Sequence, residues 1–119
     1  MTVRALTEKT DSLFPNVLPF SQKAAFLYEL DRKIYCEFIS SYGIADTLKD
    51  ADPMSPEREL LVESPFTDLY HHYLCMQMEL ISGNITGYQN QAALFNSLYL
   101  SFMHHFNRGH LMLPRGIIY

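Results

Sequence analysis

The stretch that decides the fold runs from Ser64 to Arg108: SPFTDLYHHYLCMQMELISGNITGYQNQAALFNSLYLSFMHHFNR. Apolar and aromatic residues recur in it at steps of three and four on either side of the pair Gly83-Asn84. This spacing places them on one face of a helix, and a Gly-Asn pair is typical of a turn. The stretch therefore predicts two antiparallel helices joined by a short turn.

The two hairpin helices have predictable bounds and a predictable buried face. The first begins near Pro65, since proline suits a first helical position, and Ser64 is expected to cap it. The second extends from about Thr86 to about Arg108. The residues expected on its buried face are Tyr88, Ala92, Phe95, Leu98, Tyr99, Phe102 and Phe106.

A short polar helix is predicted near the start of the chain, from Val3 to Leu13. Leu6 and Leu13 are its expected apolar contacts with the rest of the domain. Pro15 and Pro19 follow, and because proline disrupts a helix they end this element and keep the next residues extended.

The second helix has the clearest apolar stripe. Ser21 is expected to cap its first amides, and Gly43 lies where a helix commonly ends in a left-handed residue. Charged residues, Asp31 among them, are expected on the other faces. The stripe, at steps of three and four, consists of Leu27, Leu30, Ile34 and Phe38.

Residues 44–63 break the helical pattern and form a polar connection rich in Asp and Pro. A loop of this length in a small domain is expected to be either mobile or functional. The chain has 119 residues, which suits one domain. We therefore predict a single all-α domain over residues 1–119, a small bundle of about four helices that includes the hairpin.

The last residues, Gly109 to Tyr119, do not follow a helical pattern, and Pro114 and Gly116 disfavour a helix there. We predict an extended tail over residues 109–119. An apolar tail must be buried against its own domain, a neighbouring chain or a partner. Its apolar side chains are Leu111, Met112, Leu113, Ile117, Ile118 and Tyr119.

The charge balance excludes some classes of function. The formal net charge is -4, with Lys+Arg 9 against Asp+Glu 13. Because phosphate neutralisation supplies most non-specific affinity for nucleic acid, this balance argues against tight binding to DNA or to an anionic membrane. No apolar run reaches the ~18 residues of a membrane span, and no signal-peptide core is present. We expect a protein that is intracellular in the cell that makes it.

The two cysteines, Cys36 and Cys75, lie inside apolar helical patterns. We favour buried free thiols in a reducing compartment over the alternative, a disulfide between them. The sequence offers no nucleophile motif around either cysteine or around a serine.

Histidines come in two adjacent pairs, His71-His72 and His104-His105. His71 and Cys75 are four residues apart, a spacing that suits two metal ligands on one helical face. Counting outward from the turn places the two pairs about 10 Å apart, whereas zinc ligands converge on one point at about 2 Å. We therefore expect no metal, no cofactor and no catalytic site. A metal-dependent hydrolase built on the four histidines is the weakest hypothesis.

Apolar residues also occur away from the main buried faces of the hairpin. A domain this small is not expected to cover every side of a helix with its own chain. Surplus apolar area on several faces is typical of an oligomer or a permanent complex. The candidate interface residues on the hairpin are Met76 and Met78 of its first helix, with Leu94, Leu100 and Met103 of its second.

The hairpin and its approach resemble a known family over most of Phe20 to Arg108. The pattern is similar to that of the head–tail connector, or adaptor, proteins of long-tailed bacteriophages and their prophages. It consists of Glu59-Leu60-Leu61-Val62, Ser64-Pro65-Phe66-Thr67-Asp68-Leu69-Tyr70, Tyr73-Leu74, Gly83-Asn84, Tyr88-Gln89-Asn90, Leu94-Phe95-Asn96, Tyr99 and Phe102.

The resemblance implies a structural virion protein, made in the bacterial cytoplasm, whose copies form a ring below the portal around the DNA channel. The implied partners are other copies, the portal protein and tail-side connector or stopper proteins, while DNA passes without specific binding. The residues alone leave an alternative, a small dimeric helical regulator or adaptor of a host or mobile element. In that alternative the aromatic hairpin is the dimer face.

Overall fold

The computed structural model describes residues 1–37 and 39–110. The described part is all-helical, as predicted, with no strand beyond one isolated β-bridge between Thr2 and Glu59. Its elements in chain order are α1 (Val3–Leu13), α2 (Phe20–Glu37), a short 3-10 helix (Ile39–Tyr42), α3 (Asp68–Ser82) and α4 (Ile85–His110).

Helices α3 and α4 form the predicted antiparallel hairpin. Its turn is set by Gly83, whose φ of 80° is readily adopted only by glycine, and whose amide donates to the Leu80 carbonyl at 3.2 Å. The amide of Asn84 donates to the Glu79 carbonyl at 2.9 Å, which completes the left-handed helix end. α4 continues two residues beyond the predicted end at Arg108.

The predicted start of α3 at Pro65 with a Ser64 cap is wrong. The Phe66 amide donates to the Glu63 carbonyl at 3.0 Å, so a separate turn occupies these residues. The helix begins at Asp68, and Thr67 precedes it without a side-chain capping bond.

Helix α1 has the predicted bounds but a different apolar contact at its end. Leu6 is fully buried as expected, whereas Leu13 is 63% exposed. Phe14, the next residue, packs against the core instead. Thr2 caps the start of the helix, because its side chain accepts from the Ala5 amide at 3.1 Å.

Helix α2 buries the predicted stripe through Leu27, Leu30 and Ile34, while Phe38 lies outside the described residues. The cap assigned to Ser21 is wrong because the helix begins at Phe20. The prediction that Asp31 faces solvent is also wrong, since this carboxylate is fully buried.

The long connection from Gly43 to Thr67 is packed against the helices. The amides of Val3 and Arg4 donate to the carbonyls of Arg58 and Pro56, each at 2.9 Å. Leu60 and Val62 join the core cluster with α1, α2 and the hairpin. The first residues of the chain and the end of the connection therefore hold each other in place.

Candidate assembly surface

An apolar groove lies between the α1–α2 connection and the last turn of α3. Its volume is about 350 Å³. Val17 is fully exposed at its edge, and Ile81 is 57% exposed. We call this the tip groove, because it lies beside the hairpin turn; its lining is Phe14, Pro15, Asn16, Val17, Leu18, Met78, Glu79, Ile81 and Ser82.

Local hydrogen bonds fix the α1–α2 side of the tip groove. The Asn16 side chain donates to Asp11 at 2.9 Å and accepts from the Leu18 amide at 3.1 Å. Asp11 also accepts from the buried Lys23 at 2.6 Å. These bonds hold the intervening Val17 out in solvent, where nothing in the described chain covers it.

The hairpin turn supplies the acidic group of the tip groove. The Glu79 carboxylate accepts from the Asn84 side chain at 3.1 Å and extends over Gly87 of α4. A Cβ atom at position 87 would collide with this carboxylate. Because Gly87 has no side chain, the Glu79 carboxylate can lie against α4. Glu79 is the one charged residue that lines the groove.

The structure separates the candidate interface residues of the hairpin into two groups. Leu94 and Leu100 are 49% and 54% exposed on α4. Met76 and Met78 are buried, and Met103 packs against the core, so these methionines supply little exposed surface. The surplus apolar area is found instead near the turn, at Leu80, Ile81 and Ile85, which the periodic pattern assigned no such role.

The predicted tail contributes the remaining candidate interface residues, all of which lie outside the described residues. Gly109 and His110, which the prediction placed at the start of the tail, belong to α4. The tail candidates are Leu111, Met112, Leu113, Ile117, Ile118 and Tyr119.

A second cavity of about 310 Å³ lies beside the C-terminal part of α4. We call it the base pocket. Phe66 contacts Phe102 there at a ring-centroid distance of 5.8 Å and His105 at 5.1 Å. Its surroundings are more polar than those of the tip groove, because exposed Glu63, Ser64 and His105 line it with Leu61, Phe66, Phe102 and Phe106.

A buried polar network lies behind these surfaces and was not expected from the sequence. Asp31 accepts from the Arg58 guanidinium at 2.8 Å and from the Tyr70 hydroxyl at 2.5 Å. The Tyr70 oxygen accepts from the Val62 amide at 2.8 Å. Desolvation raises the pKa of Asp31 despite these partners, and it also raises the pKa of Tyr70.

The spacing of Asp31, four residues after Leu27 and three before Ile34, places it on the buried stripe of α2. The expectation of another face came from its charge, since charged residues are seldom buried without a partner.

Arg58 of this network is buried with incomplete hydrogen bonding. Its Nη1 atom pairs with Asp31, whereas Nε and Nη2 have no partner. Its guanidinium lies over the Tyr28 ring at 5.4 Å, which offsets part of the lost hydration. The charges of the network are all enclosed. The network joins α2, through Asp31, to α3 and to the long connection.

The described histidines do not form a metal-binding cluster with the cysteines. His71 contacts Thr10 at 3.0 Å and lies 3.7 Å from the Cys75 sulfur. His72 contacts Gln91 across the hairpin at 2.8 Å. Among the described residues, no group of three or more His, Cys, Asp or Glu side chains is placed to hold a metal ion.

Both cysteines are free thiols, as favoured from the sequence. Cys75 is buried, and burial raises its pKa to about 11, which makes it a poor nucleophile at neutral pH. Cys36 is exposed, so the expectation that both thiols are buried is wrong for this residue.

Comparison with protein-family models, with curated proteins and with solved structures gives no match for this chain. Within the described ranges 1–37 and 39–110, no helix has the length and apolar character required to span a membrane.

Proposed function

We propose that this protein is a structural virion assembly protein, a head–tail connector subunit whose copies form a ring below the phage portal. The observation that carries the proposal is the exposed apolar surface of a chain whose core is already filled. Val17, Ile81 and Leu94 are between about half and fully exposed, while the core residues of all four helices are buried. The residue pattern from Glu59 to Phe102 supports the specific assignment to connectors.

A ring of identical subunits needs two different contact surfaces on each chain, because each copy meets its two neighbours through different faces. The tip groove supplies one apolar surface. Leu94, half-exposed on α4, supplies another, outside the groove lining. Two separate apolar surfaces fit a cyclic assembly better than a two-fold dimer, which uses one self-complementary surface.

The charge of the chain fits a conduit for DNA. A channel wall should let the genome slide and should therefore not hold phosphates tightly. A formal net charge of -4 keeps counterion-release binding weak. The proposal assigns no catalytic group, cofactor or metal to the chain.

The test is assembly with the portal protein encoded in the same gene cluster. Size-exclusion chromatography with light scattering, over a range of concentrations, should give a stoichiometric complex in which several copies bind one portal ring. An isolated protein that stays monomeric is compatible with the proposal, but a protein that also ignores the portal is not.

A matched pair of variants locates the contact. Leu94→Glu places a charge on a half-exposed apolar site and should weaken the portal-bound assembly at least tenfold. Met54→Glu, at a site that is 40% exposed in the long connection, should leave it unchanged. A stable two-subunit species without portal binding would support the dimeric regulator instead.

A further inference from the structure

The tip groove is an apolar surface without an occupant in the described chain. Val17 is fully exposed at its edge, and Leu13, Leu80 and Ile85 nearby in the chain are between 49% and 63% exposed. Exposed apolar area of this kind marks a docking site. Glu79 is the one charged residue of its lining.

The sequence beyond α4 has the complementary character. Residues 111–119 read LMLPRGIIY, with six apolar side chains and one charge, that of Arg115. An apolar segment with one cation matches an apolar groove with one anion.

Geometry decides which chain delivers this segment. The tip groove lies at the turn end of the hairpin, whereas the segment leaves α4 at its other end, after His110. The 26 residues of α4 span about 39 Å. The Glu79 carboxylate lies over Gly87, about 35 Å along α4 from His110, whereas Arg115 is five residues after His110 and reaches at most about 18 Å. A chain therefore cannot place Arg115 beside its own Glu79.

The base pocket is the competing site, because it lies within reach of the same chain. Its exposed lining residues are the polar Glu63, Ser64 and His105. Its apolar lining residues, which are buried or partly buried, are Leu61, Phe66, Phe102 and Phe106. It therefore offers an apolar segment little exposed apolar surface. The tip groove has apolar residues both inside it and around it. Of the two sites that the segment can reach, the tip groove of a neighbouring copy therefore offers the larger apolar surface.

We infer that residues 111–119 of one copy dock in the tip groove of the next copy, with Arg115 beside Glu79. This inference rests on the proposed ring, and it names the occupant of the tip groove, one of the apolar surfaces assigned to that ring. The contact is head-to-tail: each chain donates its segment to one neighbour and receives the segment of the other.

Site-directed cross-linking of the full-length protein tests the docking. All variants carry Cys36→Ser, because Cys36 is the exposed thiol and Cys75 is buried. One chain carries Ile81→Cys in the groove, and a ¹⁵N-labelled chain carries Leu113→Cys in the segment. Under mild oxidation, with and without portal, we expect a mixed-mass disulfide dimer between the two chains.

Leu100→Cys is the matched control for Ile81→Cys, since these side chains are 54% and 57% exposed. Its yield with Leu113→Cys should be at least tenfold lower. Glu79→Arg should reduce the Ile81–Leu113 yield several-fold, and Arg115→Glu in the other chain should restore it.

Three results would overturn the docking. One is an equal yield from the Leu100 control, and another is no Ile81–Leu113 product either with or without portal. The third is an intrachain disulfide in a Ser64→Cys, Leu113→Cys chain, which would place the segment at its own base pocket. If the protein binds portal but gives no Ile81–Leu113 disulfide, the connector proposal stands and the docking is wrong. If the Ile81–Leu113 disulfide forms but the protein does not bind portal, the docking stands and the connector proposal is wrong.

Discussion

The single residue on which most elements depend is Asp31. Its carboxylate is fully buried in α2 and holds Arg58 of the long connection at 2.8 Å and Tyr70 of α3 at 2.5 Å. The Nε and Nη2 atoms of Arg58 have no hydrogen-bond partner. Loss of Asp31 would therefore leave a buried positive charge without compensation.

We predict that Asp31→Ala lowers the free energy of unfolding by about 3–5 kcal/mol, because it breaks a buried ion pair and leaves one charge enclosed. Urea denaturation followed by circular dichroism measures the change. The control is Glu57→Ala, which removes an ion pair with Arg4 whose side chains are both more than half exposed. Its cost should be at most about 1 kcal/mol, and equal costs for the two variants would contradict the network.

His71 is expected to make stability depend on pH. Desolvation, followed by the nearby positive groups His72 and Lys9, lowers the pKa of His71, and Asp68 only partly opposes this. The unfolded chain therefore binds the proton more readily, so stability is full above about pH 6.5 and falls as the pH drops below it.

His71→Gln should remove the part of this loss that occurs between pH 7.5 and 5.5, because glutamine does not take up a proton there. His104→Gln, at an exposed position of α4, is the control and should leave the slope unchanged. Urea denaturation at several pH values measures both. An unchanged slope in the His71 variant would show that other groups carry the pH dependence.

At the scale of the elements, the hairpin depends on the left-handed residue at its turn. Gly83 has a φ of 80°, and no atom approaches the position of an added Cβ within 4 Å. A side chain at this position is therefore disfavoured by the backbone conformation and not by lack of space.

We predict that Gly83→Ala lowers the free energy of unfolding by about 1–2 kcal/mol, the cost of a left-handed conformation for a residue with a Cβ. Gly83→Asn should cost less, since asparagine tolerates this region better. Gly109→Ala is the contrasting variant: it lies in α4 without close neighbours, and alanine should stabilise it by up to about 1 kcal/mol. Chemical denaturation ranks the three, and a destabilisation at both glycines would contradict the assignment.

The periodic spacing of apolar residues was sufficient to predict the helices, but it was insufficient to predict the segments between them. It gave α1 its bounds, because α1 has an apolar face at helical steps. It failed at Ser64 and Pro65, where a turn that precedes the helix has the same residue types as a helix start. At Asp31 the spacing places the residue on the buried stripe of α2, four residues after Leu27. The charge of Asp31 led to the wrong expectation, because its partner Arg58 lies far along the chain and has no local signal.

At the scale of the whole molecule, the described core is complete without the last residues. The core cluster and the residues packed against it extend from Val3 to Phe106. The large apolar residues that are 49% exposed or more lie beside the tip groove or along α4. Of the residues that the sequence proposed as surplus apolar surface, Leu94 is exposed, whereas Met76 and Met78 are buried because α3 is covered on more than one side.

We predict that a chain ending after His110 keeps its helical circular dichroism and cooperative thermal unfolding, since no described core residue is removed. It should lose the association between copies that light scattering detects when portal is present. The control Arg115→Lys, which keeps the positive charge, should retain self-association. A truncated chain that no longer unfolds cooperatively would mean that the removed segment completes its own core.

Gly87 does not line the tip groove, but it affects the position of the groove's negative charge. Because position 87 has no side chain, the Glu79 carboxylate can cross from α3 to α4 and meet Asn84. A methyl group at that position would displace the carboxylate toward open solvent. A single carbon atom added at position 87 of α4 would therefore change the position of the Glu79 charge on α3. The electrostatic surface that a docking segment meets could thus change without the substitution of any ionisable residue.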